Sequence, residues 1–271
     1  MRAVAYMILA FLLACAPHSR SAQTSTMGAN APELFERGMN ALEGSSSSRN
    51  LLNAVDYLRR AADLGYGPAQ AALGYLYETG RGVTSDPGQA FDWYKKAARQ
   101  GDPLAQWLAG RVVFVGEGPP RDLNQAANWF EQASAQDNPF AEYFLGRIAL
   151  ERSNYTVAAE DFRKASEQGL PQAQFNLSIL LRDGRGVPVD KFEAYVWMLV
   201  SADGGFRVSQ TDLQFLEAEL SAPQVEQAKT KARDLETRVT RSVVAHGCTG
   251  WRGEFDEVPA PPPPDLQRFC R

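Results

Sequence analysis

The stretch "ETGRGVTSDPGQAFDWYKKAARQG", Glu78–Gly101, contains a tetrapeptide that returns downstream. "GRGV" stands at 80–83 and again at 184–187, each time followed by an aspartate and then by an alanine and a tryptophan. A glycine pair of this kind is either a cradle for phosphate or a link between structural units. A phosphate-binding glycine loop follows a strand, opens a helix and has a lysine and a hydroxyl behind it. Here no such pair follows, and each GRGV comes after a segment of helical, not alternating, hydrophobic period. The stretch therefore reads as a link, and the next question is what it links.

Alanines answer it. Ala54, Ala90, Ala126, Ala158 and Ala194 are separated by 36, 36, 32 and 36 residues. Three and four places on stand Tyr57-Leu58, Trp93-Tyr94, Trp129-Phe130, Asp161-Phe162 and Trp197-Met198. Seven on come Ala61, Ala97, Ala133, Ala165 and Ser201, and eleven on come Gly65, Gly101, Asp137, Gly169 and Gly205. Spacings of 3, 4 and 7 place the first sets on one helical stripe, which puts Trp93, Trp129 and Trp197 in the core. The residue eleven on is where a left-handed helix terminator belongs. The other helix of each unit, the one that opens it, is marked by Ala69, Ala105, Ala141 and Ala173, with Leu73, Ala109, Leu145 and Leu177 four residues on. Beside these stand Gly74, Gly110, Gly146 and Ser178, small residues that let a neighbouring helix approach closely. Pro103, Pro139 and Pro171 sit just ahead, suited to a first helical turn. Asp86, Asp122 and Asp190, followed three places on by Gln89, Gln125 and Glu193, have the spacing of a capping box for the helix after the link. Within the link, Gly80 ends a helix, Gly82 supplies flexibility for the reversal, and Val83 and Val187 pack back on the helix they leave.

The consensus A-x-x-x-L-G-x-L-Y-x-x-G-x-G-V…D…A-x-x-W-Y-x-K-A-A-x-x-G closely resembles the Sel-one-like repeat, a relative of the tetratricopeptide repeat, over about Glu33 to Leu235. The resemblance implies an all-α, right-handed α-solenoid of helix pairs. The expected units lie at about 32–67, 68–103, 104–139, 140–171 and 172–207, with capping helices over 208–240. The unit containing "LERSNYTVAAEDF" departs from the pattern: it lacks the glycine link and is four residues short, so its turn is expected to be tighter. Ser221 marks the start of a closing helix.

The two ends have a different character. "VAYMILAFLLA", Val4–Ala14, is an apolar run of 11 residues, short for a membrane span and suited to a signal sequence over residues 1–14. Its end, "LLAC", resembles the bacterial lipobox, which would make Cys15 the lipidated first residue of the mature chain, followed by a flexible tether over 15–31. Plain secretion with cleavage a few residues later is the competing reading. Residues 241–271 form a Gly- and Pro-rich tail in which Cys248 and Cys270 are expected to pair as a disulfide in an oxidising compartment. The chain is therefore expected to be exported, as a periplasmic protein or a membrane-anchored lipoprotein.

Candidate chemistry is sparse. Of 271 residues two are histidines, His18 and His246, and the formal net charge of −4 supplies no basic field for nucleic acid. Glu217 and Glu219 are two apart and point to different sides of a helix, so they form no acid–base pair. No metal-ligand spacing is present, and no cofactor or catalytic group is expected. What remains is a surface. In a two-helix array the first helix of each unit lines the concave side. Its outward columns nominate Tyr75, Arg111, Arg147 and Ile179, then Glu78, Phe114 and Arg182, as a groove for an extended acidic or carboxylate-bearing peptide. Arg111 and Arg147 have an equal alternative as partners of nearby carboxylates. The resemblance assigns the Trp107, Tyr143 and Phe175 column to packing between repeats. The leading expectation is a non-enzymatic scaffold or regulatory adaptor of the bacterial envelope, binding a protein or peptide. A peptidoglycan or glycan binder is the alternative, and an envelope hydrolase the third.

Overall fold

The structure, a computed structural model, describes residues 30–43, 48–206, 208 and 210–245. The signal sequence, Cys15, nearly all of the tether, and the tail with His246, Cys248, Trp251 and Cys270 lie outside the described residues. Twelve α-helices and no strand occur among the described residues. They are α1 (Ala31–Glu43), α2 (Ser48–Asp63), α3 (Gly67–Thr79), α4 (Pro87–Ala98), α5 (Pro103–Val115), α6 (Leu123–Ser134), α7 (Pro139–Glu151), α8 (Tyr155–Glu167), α9 (Pro171–Asp183), α10 (Lys191–Asp203), α11 (Gln210–Ala218) and α12 (Ala222–Ala245). They fall into two compact units, one ending at Gln136 and one beginning at Asp137.

In the first unit α1 packs on α2, α3 on α4 and α5 on α6, and each pair joins the next through α2–α3 and α4–α5 contacts. In the second unit α7 packs on α8 and α9 on α10, joined by α8–α9, and α11 and α12 both pack on α10. The core is built from the columns legible in the sequence. Ala54, Ala90, Ala126, Ala158 and Ala194 are fully buried, and so are Leu58, Tyr94, Phe130, Phe162 and Met198 four places on. Gly110 faces this column from the partner helix: a Cβ there would lie 2.6 Å from the Phe130 ring. Gly74 and Gly146 stand in the same relation to Tyr94 and Phe162, at 2.7 Å. The stripe is centred one residue later than expected, however. Trp197 is buried, but Trp93 and Trp129 are only half-buried, because the residue after each occupies the helix–helix interface.

The links explain the glycines. α3, α5 and α9 each end on a glycine in the left-handed region, Gly80, Gly116 and Gly184, whose N–H bonds back to Leu76, Val112 or Leu180. The second glycine of each link is a site of close approach, not a source of flexibility. Gly186 has φ +70°, and a Cβ on it would lie 2.2 Å from the Tyr155 carbonyl carbon at the start of α8. Gly118 is placed alike against Pro87, at the start of α4. The link of one repeat thus rests on the first turn of the second helix of the repeat before it. Asp86, Asp122 and Asp190 cap the helices that follow, accepting from the N–H of Gln89, Gln125 and Glu193 at 2.9–3.0 Å. The reciprocal half of the box is absent here. The N–H groups of Asp86 and Asp190 bond instead to Tyr77 and Leu181 of the preceding helix, closing the link. That reciprocal half occurs at α12, where the Gln224 side chain accepts from the Ser221 N–H at 2.9 Å.

The short repeat keeps both helices. Its link is three residues, Arg152–Asn154, with Ser153 at φ +57° in the left-handed region and Asn154 capping α8. The terminator column behaves uniformly: Gly65, Gly101, Gly169 and Gly205 have positive φ, and so does Asp137, at +58°.

Candidate functional site

First and second helices differ in how far they are covered. α5 buries ten of its 13 residues, whereas α6 buries four of its 12. A first helix packs against its own partner and against the preceding second helix, which encloses most of its circumference. That enclosure changes the status of the nominated groove. Tyr75, Phe114, Arg147 and Ile179 are all buried, at 5%, 1%, 8% and 1% exposure, and serve as packing. Glu78, Arg111 and Arg182 are the nominated residues that stay partly exposed.

Glu78 and Arg111 form the most developed polar cluster of the first unit. The Arg111 guanidinium donates to Glu78 Oε1, and the Tyr94 hydroxyl donates to Oε2 of the same carboxylate at 2.7 Å. The pair ties α3 to α5, the first helices of successive repeats, while Tyr94 anchors it to α4. Burial pushes the Tyr94 phenol far above its ordinary value, and the Glu78 charge adds to the shift. Burial, the largest single influence, would lower the Arg111 guanidinium, but Glu78, Tyr94 and Glu117 together outweigh it and the net direction is upward. Arg111 also lies over the Trp107 ring, 5.8 Å from its centroid. Nearby, burial raises the Tyr75 phenol against the opposing effect of Arg81. The cluster is thus a charge pair held in one geometry by a buried tyrosine and an indole.

In the second unit the arginines are similarly engaged. Arg147 lies over Tyr143 and Phe144, at 5.8 and 5.4 Å. Arg182 Nε donates to Asp183 Oδ1 at 2.7 Å. Trp107 and Phe175 are buried as the repeat resemblance implied, and Tyr143 is half-buried against Phe162 at 5.8 Å.

A periodic feature that sequence reasoning missed runs beside these residues. Gln70 and Gln106 are buried, and each donates from Nε2 to a carbonyl of the preceding helix, Ala62 at 3.1 Å and Ala98 at 3.3 Å. Their Oε1 atoms accept from Gln100 at 2.8 Å and Gln136 at 3.0 Å. In the second unit Glu142 holds the same place and accepts from Gln168 at 2.7 Å. Gln174 donates to the Ser166 carbonyl at 3.2 Å, but its donor position falls on Gly204, and its Oε1 is buried without a hydrogen bond. The signal was a Gln/Glu column directly after Ala69, Ala105, Ala141 and Ala173, in register with the apolar ones. Also missed were the caps of the first helices. Asp102 accepts from the Ala105 N–H at 2.6 Å, and Asn138, its counterpart one repeat on, from Ala141 at 3.0 Å.

Among the described residues no group of three or more His, Cys, Asp or Glu side chains is placed to hold a metal ion. No described helix is long and apolar enough to cross a membrane. The helix pairs and their columns meet a known pattern: the Sel1 repeat family model matches residues 34–66, 67–102, 103–138 and 171–206, more than half of the chain. The chain belongs to the Sel1 repeat family. The short-link pair at 139–170 lies outside the matched residues. Sel1 repeat proteins are typically protein-interaction scaffolds and generally non-catalytic. Among solved structures, c5321, a protective antigen of uropathogenic Escherichia coli strains with an SLR fold, matches at 28% identity and TM-score 0.68, over 82% of this chain. The chain spans 47% of the length of that antigen. A Sel1 repeat protein from Oxalobacter formigenes matches at 24% identity and TM-score 0.63, over 76% of this chain and 88% of that one, and shares the fold. No curated protein sequence matches the chain.

Proposed function

We propose that this Sel1 repeat protein is a non-catalytic scaffold or regulatory adaptor of the bacterial cell envelope, docking one protein partner on its first-helix surface. The observation that carries the reading is the Glu78–Arg111 pair. It is partly exposed, fixed by Tyr94 and Trp107, and set among first helices that are otherwise enclosed. A charge pair pre-organised in this way offers a partner both signs of charge at little further ordering cost, which favours specificity. The envelope location is supported by the N-terminal apolar run ending in "LLAC" and by the cysteine pair of the tail.

Affinity capture tests the proposal. Mature protein used as bait in detergent-solubilised envelope is expected to retain one protein in stoichiometric amount. Retention of purified peptidoglycan in its place would contradict it. For the location, Cys15→Ser is expected to release the protein from membranes, and continued membrane association of that variant would remove the lipid anchor from the account.

A further inference from the structure

The outward side of the last second helix differs in chemistry from the others. α4 carries Asp92, Lys95 and Lys96 there, α6 Asn128, Glu131 and Gln132, and α8 Glu160, Arg163 and Lys164. At the same positions α10 carries Val196, Leu199 and Val200. Val196 and Val200 are buried, since α11 and α12 pack on α10. The two covering helices are held unequally. α12 buries Val225, Ala228 and Ala232, a stripe at helical spacing. α11 buries Leu216 alone and leaves Phe215 54% exposed.

Leu213 and Leu220 are half-buried, and the rest of the hold on α11 is polar. Glu217 accepts from the Tyr195 hydroxyl at 2.9 Å and stands 3.8 Å from Lys229. Glu219, just past the helix end, pairs with Lys191 at 2.5 Å, with both side chains about two-fifths exposed. Ion pairs at such exposure are weak and are screened by salt. A segment with one buried apolar anchor and exposed polar ties sits at the low end of local stability.

We propose that α11 is a salt-sensitive strap that opens as a unit while α7–α10 and α12 stay folded. Closed, it covers Tyr195 and the Lys191 side of α10. Open, it bares them, so the C-terminal end of the array has two states that ionic strength biases.

Amide hydrogen exchange on the full chain at about 50 and about 500 mM salt tests this. At low salt, residues 210–218 are expected to exchange at least about 30-fold faster than 224–232. At high salt their rate is expected to rise a further threefold or so, with 139–203 unchanged. Lys191→Glu should reproduce the high-salt rate at low salt, and adding Glu219→Lys should restore the original one. Exchange of 210–218 in step with 224–232, or a rate indifferent to salt and to the swap, would overturn the proposal. If Lys191→Glu fails to fold, the salt series and the double variant decide.

Discussion

Three helix pairs of this chain turn through seven-residue links, 80–86, 116–122 and 184–190, and one turns through three residues, 152–154. The helices on either side hardly differ: α3, α5, α7 and α9 all have 13 residues. The buried columns pass through the short-link pair without change, since Ala158, Phe162 and Ala165 are as fully buried as Ala126, Phe130 and Ala133. The whole difference in period, 32 against 36, is therefore in the link. The comparison separates two jobs that the repeat pattern runs together. The small and aromatic columns make the helix pair. The glycine link does something else: it rests on the second helix of the preceding repeat, through a glycine too close to accept a side chain.

If that separation holds, the largest effects come from the columns and are equal in the two kinds of repeat. Phe130→Ala and Phe162→Ala are each expected to cost about 3–5 kcal/mol in denaturant unfolding. A Phe162 variant costing under half as much would show the short-link pair to be only superficially equivalent. The links should then respond unequally. Gly186→Ala is expected to cost about 2–4 kcal/mol, from a positive φ and a collision with Tyr155. Ser153→Gly should stabilise by up to about 1 kcal/mol, by relieving a left-handed serine. Equal and small effects at both would remove the contact role from the glycine link.

The glutamine ladder sharpens the same contrast between interior and end. Gln106→Met strips partners from Gln136 and from the Ala98 carbonyl and is expected to destabilise by about 1–3 kcal/mol. Gln174→Met removes an oxygen that has no hydrogen bond, and its cost should be smaller by about 1 kcal/mol or more. The smallest effects concern the caps and carry opposite signs with pH. The Gln89 backbone N–H, with its side chain, holds the Asp86 carboxyl below its ordinary value of 3.8. That contribution is present above this value and is lost as pH falls through the depressed one. Burial raises Asp102 above 3.8 in spite of its backbone donors. Asp102 therefore takes stability away as pH rises from 3.8 through its raised value. Asp102→Asn, the residue type found at Asn138 one repeat on, should abolish that part of the pH profile while keeping the cap. A profile unchanged by Asp102→Asn would place the titration elsewhere.

Most of the fold was legible because its signals are local and periodic. Alanine at the contact, an aromatic four places on and a terminator eleven on repeat often enough to need no tertiary information. The candidate site was less legible for a physical reason. An outward position on a first helix reads as surface, yet the helices on either side enclose Tyr75, Phe114 and Ile179, and periodicity within one helix cannot report that. The buried glutamines were missed for the converse reason. Gln70 and Gln106 look like solvated residues until their carboxamides are seen bridging one repeat to the next. The pairing of Arg111 with a carboxylate was open from the sequence, and Glu78 provides it from 33 residues away.

The most direct test of the scaffold reading is a capture experiment that removes charge and keeps shape. Glu78→Gln combined with Arg111→Gln leaves a neutral, hydrogen-bonding pair in the same place and should unfold within a few degrees of the parent. The account predicts that this variant loses about tenfold or more of the captured partner. Equal capture by a variant shown to be folded would contradict it.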